Sequence, residues 1–526
     1  MSAPETPLRI LLEMRPALEG HAGIPQETRL LFRGLSMLEN VRVEGLMQSG
    51  DQLLARGLPP SGKGWFGLLS KDRQLNRLGR VVITLEQRTW VKKSGTPKRR
   101  SRFSVLKTTA YTVVMALRQR IGGRESLARF DAHNFRDYIW RRFFARTLPA
   151  ADFDLVTRAG FRIARIPWGA MHICGLFTRH FGPPIYPRLN TADFDVMIAE
   201  TPYPATVSRK TTLVVRYHDA IPVLMPHTIS DRSHHQAQHY WALRNNVNSG
   251  AWFVCVSDAT RNDLLSIFPQ AAPRALTIHN MVSHDYFDED SGADRVPEII
   301  KTRLNSRIKP PLDPGFTRGL FEQGSGSEPL QYLLVVSTIE PRKNHLTLLA
   351  AWEQLRADIF PKLKLLVVGE TGWRQKSIVG KFRPWMERGD AFLVENVPSA
   401  DLRLLYKHAR ATVCPSFGEG FDFPGVEAMK SGGAVIASDI AVHREIYADA
   451  AEFFNPYSVG DAARAIQAVI GPANAARRDE LIAKGAAVAR RYDFEVILPK
   501  WEAFLKSLGG PGERQTTTAN QRLEGE

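Results

Sequence analysis

Cys414-Pro-Ser-Phe-Gly-Glu-Gly-Phe-Asp-Phe-Pro-Gly-Val-Glu-Ala-Met-Lys-Ser-Gly-Gly433 is the stretch on which the reading of this chain turns. The apolar run Ala411 to Cys414 reads as a short buried strand, and Gly418 and Gly420 mark the loop that follows. Pro424 suits the first turn of a helix, where its missing N–H would have had no partner anyway. Strand, loop and helix in succession predict a unit of a parallel α/β sheet, whose ligands sit in the crevice beyond the carboxyl ends of the strands. Glu419 falls on the loop and Glu427 on the first turns of the helix, so both are expected to face that crevice. The helix N-terminus and free loop amides can hold an anion, while carboxylates accept hydrogen bonds from paired hydroxyls. Two glutamates eight residues apart occur by chance in many proteins. The weight comes from the whole string, with Pro415-Ser416, the Phe421-Asp422-Phe423-Pro424 turn and the small residues after Met429.

Working outward, apolar runs alternate with helical patterns on both sides. Downstream of residue 330, strands are expected at Tyr332 to Val336, Leu363 to Val368, Ala391 to Val394 and Ala434 to Ala437, with a last helix at Phe494 to Leu508. Upstream, Ile10 to Met14 leads into the glycine loop Gly20-His21-Ala22-Gly23-Ile24 and a helix from Pro25 to about Leu38. Similar alternation returns at Phe194 to Ala199, Leu213 to Tyr217 and Trp252 to Ser257. The stretch 285–329 is rich in Asp, Pro, Gly and Ser and reads as a linker. The expected organisation is therefore one α/β domain over 1–284, the linker, a second over 330–508 and a disordered tail over 509–526.

The string resembles the Glu-x7-Glu motif of glycosyltransferase family 4, retaining enzymes of GT-B fold. Other segments match that family in order. Ser337-Thr-Ile-Glu-Pro-Arg-Lys-Asn344 resembles its donor-phosphate segment, with Lys343 as the family lysine. An arginine commonly stands where this chain has Thr338, and Arg342 is expected to supply that charge, as in the Pro-Arg-Lys-Asn subgroup. Tyr217-His218-Asp219-Ala-Ile-Pro222 resembles the His-Asp segment beside the donor sugar, and Gly23 lies in a loop similar to the one that approaches the donor phosphate. The resemblance covers about residues 8–48 and 193–508.

It implies two Rossmann-like domains facing across a donor cleft, and transfer of a hexose from a nucleotide-sugar to a glycan or lipid-linked oligosaccharide. The implied catalytic residues are Glu419, Lys343 and His218. The implied donor-binding residues are Glu427, Arg342, Gly23, Ser416, Gly420, Phe421, Asp422 and Phe423. Glu419 would position the sugar and Glu427 the ribose. The subgroup points to GDP-mannose first, with UDP-hexose and deoxysugar donors open. No cofactor and no metal are expected. Asp-x-Asp occurs at Asp152, Asp193 and Asp288, but Asp193-Phe-Asp195 reads as a strand entry and Asp288-Glu-Asp290 falls in the linker. Two other readings stay open: a different GT-B enzyme, such as a phosphorylase or epimerase, and a basic membrane adaptor with an idle donor site.

Composition bounds the partners. The net charge of +16 is concentrated between Arg88 and Arg188, with 21 Lys and Arg against 5 Asp and Glu. This basic stretch lies in an apparent insertion over about 50–190, unmatched by the family resemblance. It mixes charge with bulky apolar residues, as in Tyr138-Ile139-Trp140-Arg141-Arg142-Phe143-Phe144. That mixture favours an interfacial helix on an anionic membrane surface and disfavours a nucleic-acid groove. Three scattered cysteines fit buried thiols in a reducing compartment, and neither a signal peptide nor a membrane-spanning run is read, so a cytoplasmic location is expected.

Overall fold

The computed structural model describes residues 7–18, 20, 23–58, 71–93, 112–229, 232–304 and 329–508. His21 and Ala22 of the glycine loop, part of the basic stretch, most of the expected linker and the expected tail lie outside these described residues.

The first half contributes β1 (Leu8–Glu13), β2 (Val41–Gln48), β3 (Glu125–Ser126), β4 (Ala128–Phe130), β5 (Gly160–Ala164), β6 (Leu189–Asn190), β7 (Val196–Ala199), β8 (Thr212–Tyr217), β9 (Trp252–Cys255) and β10 (Ala275–Thr277). Eight of these form one sheet in the order β10-β9-β8-β7-β1-β2-β5-β4. Every pairing in it is parallel except β4 with β5. The second half supplies β11 (Tyr332–Val336), β12 (Lys364–Val368), β13 (Ala391–Val394), β14 (Ala411–Cys414), β15 (Val435–Ser438) and β16 (Ala451–Phe454). They form an all-parallel sheet in the order β13-β12-β11-β14-β15-β16. Strands such as Leu-Leu-Val-Val and Val-Met-Ile-Ala are continuous apolar runs because helices cover both faces of a parallel sheet. The architecture is α/β with two Rossmann-like sheets.

The helix Phe494–Ser507 follows the second sheet in sequence but packs on the first. Phe494, Ile497, Trp501 and Phe504 share a core with Ile10, Leu12, Leu31 and Val214. The chain therefore crosses between the two halves a second time.

The basic segment departs from expectation. It is not a simple insertion, since β4 and β5 are woven into the first sheet. Nor is Tyr138 to Phe144 an interfacial helix. A short helix, Arg136–Ile139, runs into a π-helical turn, Trp140–Phe144, whose Phe143 and Phe144 are fully buried. Their rings pack with Phe32 and Phe161, with Phe32 and Phe144 centroids 5.1 Å apart. The wider π turn brings Phe144 against Phe32 of the helix Ile24–Met37 and Phe143 against Phe161, a geometry that charge and hydropathy along the sequence do not reveal.

Candidate functional site

The loop between β14 and the helix Phe423–Lys430 is held from several sides. Asn344 donates through Nδ2 to the Pro415 carbonyl at 3.0 Å, and the Phe417 amide donates to the Arg342 carbonyl at 2.9 Å. Ser438 Oγ donates to the carbonyl of buried Ser416 at 2.6 Å. These bonds fix the backbone around Glu419. Asp422 then takes a left-handed conformation, with φ of 66°, immediately before the helix.

Glu419 is gripped by both cations of the Pro-Arg-Lys-Asn segment. Lys343 Nζ lies 2.5 Å from one carboxylate oxygen and Arg342 Nη1 2.7 Å from the other. Arg342 also donates to the Gly418 carbonyl and sits 2.9 Å from Glu340. Burial opposes the charge on Glu419, but Arg342 and Lys343 outweigh it and hold the carboxyl below its ordinary range. Asp422 is likewise lowered despite burial: His443 Nε2 lies 3.2 Å from it, Tyr447 donates to it at 2.7 Å, and Lys343 is 3.8 Å away. Arg342 thus lies between Glu340 and Glu419, with Glu419 as the closer partner.

Glu427 is placed differently. Buried on the helix, it accepts hydrogen bonds from Gln26 Nε2 at 2.9 Å and from the Tyr406 hydroxyl at 3.0 Å. Burial pushes its carboxyl up to about 7, against the lowering effect of Gln26, Tyr406 and Tyr286. Gln26 belongs to the helix that begins after Gly23, so Glu427 ties the two halves together. Gly23 itself has φ of 71°, and among the described residues no heavy atom lies within 4 Å of where a Cβ would stand. The positive φ makes a side chain at Gly23 strained.

Gly420 marks the seam between the halves. A Cβ there would stand 1.8 Å from the His218 carbonyl oxygen. Ser257 Oγ donates to the Gly420 carbonyl at 2.7 Å, and Glu445 accepts from the Asp258 and Ala259 amides at the start of the helix Asp258–Ile267. Phe421 and Phe423 turn their rings into a core with Tyr492, so what they can offer a ligand is backbone.

His218 reaches the cleft from the end of β8, and behind it lies a group that the sequence reading missed. Its Nε2 is 3.2 Å from Glu200 Oε2, and one ligand atom each from Glu27, Glu200 and His218 lie within 4.8 Å of one another. Arg216, fully buried, sits 2.9 Å from Glu27 and donates to Asn280 and to the Ile278 carbonyl. Glu27 Oε2 and Glu200 Oε1 have no donor among the described residues. Two buried carboxyls this close hold a proton between them. Burial pushes both up to about 8, with Glu200 adding to the effect on Glu27 and Arg216 opposing it. Burial lowers His218 to about 4, so the imidazole is neutral near pH 7. The trio has the donor set of a cation site, with Arg216 2.9 Å from Glu27 beside it. No local pattern signals this group, because Glu27, Glu200 and Arg216 stand in three separate segments.

Comparison with known proteins finds its family match in the C-terminal half. Residues 320–486 match the family model described as glycosyl transferases group 1. The O-antigen chain mannosyltransferase B of Escherichia coli is 28% identical over 255 residues, covering 48% of this chain and 60% of that protein. An O-antigen chain mannosyltransferase of Salmonella typhimurium is 37% identical over 95 residues, or 18% of this chain and 25% of that one. The chain thus matches less than two thirds of the length of these relatives. Among solved structures, a sucrose-phosphate synthase from Thermosynechococcus elongatus superposes with a TM-score of 0.53 at 14% identity, covering 95% of this chain and 99% of that one. At that identity the likeness is one of fold, and the fold is GT-B. The match to the group 1 glycosyl transferases falls on the half of the chain that carries Arg342, Lys343, Glu419 and Glu427.

Proposed function

We propose that this protein is a retaining glycosyltransferase that moves a hexose from a nucleotide-sugar to a glycan or lipid-linked saccharide in surface polysaccharide synthesis. Mannose from GDP-mannose is the first choice, supported by relatives named as O-antigen mannosyltransferases. The observation that carries the reading is the clamp of Arg342 and Lys343 on Glu419, set across the seam from His218.

Without donor, Glu419 balances two cations. A donor diphosphate competes for both, since guanidinium and ammonium groups bind phosphate oxygens strongly. Glu419 is then released to accept hydrogen bonds from the sugar hydroxyls. As the bond from anomeric carbon to diphosphate oxygen breaks, Lys343 and Arg342 stabilise the charge on the leaving group. The acceptor hydroxyl forms the new bond from the same face and gives its proton to the departing phosphate oxygen. Neutral His218 lines the sugar end of the cleft. Glu427 receives the ribose once Gln26 yields its hydrogen bond. No step calls for a metal.

We further place the enzyme at the cytoplasmic face of the cell membrane. Supporting this, the helical residues 112–120 and the turn after them leave Leu117 59% and Ile121 85% exposed beside Arg118 and Arg120. Flotation that is equal with neutral and anionic vesicles would remove this part of the reading.

The transfer reading is tested by screening GDP- and UDP-sugars for thermal stabilisation of the purified chain, followed by a nucleotide-release assay with the best binder. GDP-mannose is expected to stabilise most and to release GDP when acceptor is present. If no nucleotide-sugar stabilises the chain or releases nucleotide, the proposal fails.

A further inference from the structure

The edge of the first sheet far from the cleft carries an unusual set of charges. Arg9 on β1 stands directly opposite Arg42 on β2, and Arg129 on β4 directly opposite Arg162 on β5. Like charges in directly opposed positions destabilise a sheet. The register puts both pairs on one face. Glu44 is two residues beyond Arg42 and opposite Gly160, which is two residues before Arg162. The face therefore runs across β1, β2, β5 and β4 as a nearly continuous row of guanidinium groups.

Only one of the four is neutralised. Arg162, 4% exposed, has Nε 2.7 Å from Glu44 and Nη1 3.3 Å from Asp193. Arg9, Arg42 and Arg129 are exposed and make no ion pair among the described residues. All four line a single cavity of about 370 Å³ together with Glu44 and Asp193. Four arginines outnumber the two carboxylates, both of which Arg162 already engages. Asp195 accepts the Arg9 amide at 3.0 Å but forms no ion pair with the Arg9 guanidinium, and an anion in the cavity would offset the remaining repulsion. Guanidinium forks match phosphate geometry, and several converging forks make phosphate the favoured class over a simple halide.

We propose that this arginine-lined pocket binds a phosphate-bearing ligand, either a soluble phosphoanion or a phosphate headgroup. The site is separate from the donor cleft. β1 runs from Arg9 at the pocket to Glu13, whose carboxylate accepts the Glu200 amide behind His218. At ~3.3 Å per residue those four steps put about 13 Å of strand between them. The pocket therefore stands or falls independently of the transfer reaction.

The test uses the full chain in an Arg342→Ala/Lys343→Ala background, which removes the cleft cations, with inorganic pyrophosphate as the probe in low-salt calorimetry. Adding Arg42→Ala and Arg129→Ala is expected to weaken pyrophosphate binding at least ~10-fold. Lysine at both positions keeps the charge but loses the forks, and should fall between. Because two like-charge pairs are relieved, the alanine variant should melt no lower than its parent without anion. Flotation separates the sources. Binding to phosphatidylglycerol vesicles that depends on Arg42 and Arg129, and that pyrophosphate competes away, identifies a headgroup. Pyrophosphate binding without such flotation identifies a soluble phosphoanion. Absence of pyrophosphate binding in the background chain, equal binding after the alanine changes, or a lower melting point from those changes overturns the proposal.

Discussion

Two buried acidic clusters lie on either side of the Gly420–His218 seam, and they handle their charge in opposite ways. On the side of the second sheet, Glu419 and Asp422 are held ionised by Arg342, Lys343 and hydrogen-bond donors. On the side of the first sheet, Glu27 and Glu200 have one cation, Arg216, between them and keep a proton. The residue type and the burial are similar. What differs is the number of cations within reach, and that decides whether a carboxyl is an anion or a proton carrier. In the first cluster both cations are paired with a carboxylate. The second holds the His218 imidazole, neutral near pH 7, 3.2 Å from Glu200.

The largest expected effect comes from removing the single cation of the second cluster. Arg216→Ala leaves Glu27 buried without its partner and should destabilise the chain by ~3–5 kcal/mol, measured by denaturant unfolding. The loss should be smaller at about pH 5 than at about pH 8.5, because protonation can neutralise the abandoned carboxyls. An equal loss at both values would break the contrast between the two clusters.

Next in size are the residues of the clamp. Lys343→Ala and Glu419→Ala should each cut nucleotide release at least ~10-fold, equivalent to about 1.4 kcal/mol, with folding intact. Near wild-type turnover in either purified variant would show that the clamp is a structural ion pair and nothing more.

The smallest effect is the most specific. Glu27 and Glu200 are raised from 4.5 to about 8, so over that window the folded chain keeps protons that the unfolded chain has released. Their contribution to stability is full below about pH 4.5 and is lost as pH rises towards 8. Glu427, raised to about 7, acts in the same direction, whereas His218, lowered to about 4, makes stability rise with pH between 4 and 6.5. Glu27→Gln should therefore flatten the decline of melting temperature between pH 6.5 and 8.5. A slope identical to the parent would mean that no proton is shared.

Much of the second sheet and its site was legible in the sequence. Continuous apolar runs bounded by glycine and proline mark its strands, and the Glu419 loop and the Pro-Arg-Lys-Asn segment each follow such a strand directly. Local patterns of this kind survive folding because a parallel strand, its loop and its helix form one contiguous unit. Phe143 and Phe144 misled for the opposite reason: their burial depends on a π-helical turn and on Phe32 from a distant helix. The charge of the basic segment was read as a surface property, yet part of it forms sheet pairs at β4 and β5.

The sequence by itself determined the α/β class, the strand–loop–helix carrying Glu419 and Glu427, and the cations at Arg342 and Lys343. Only the tertiary structure decided that Arg342 grips Glu419, that Gln26 reaches Glu427 across 401 residues, and that Glu27, Glu200 and Arg216 meet behind His218. The physical reason is range. Turn chemistry and hydrophobic period act over a few neighbouring residues, whereas the protonation state of a buried carboxyl depends on charges that sheet order alone brings within a few ångströms.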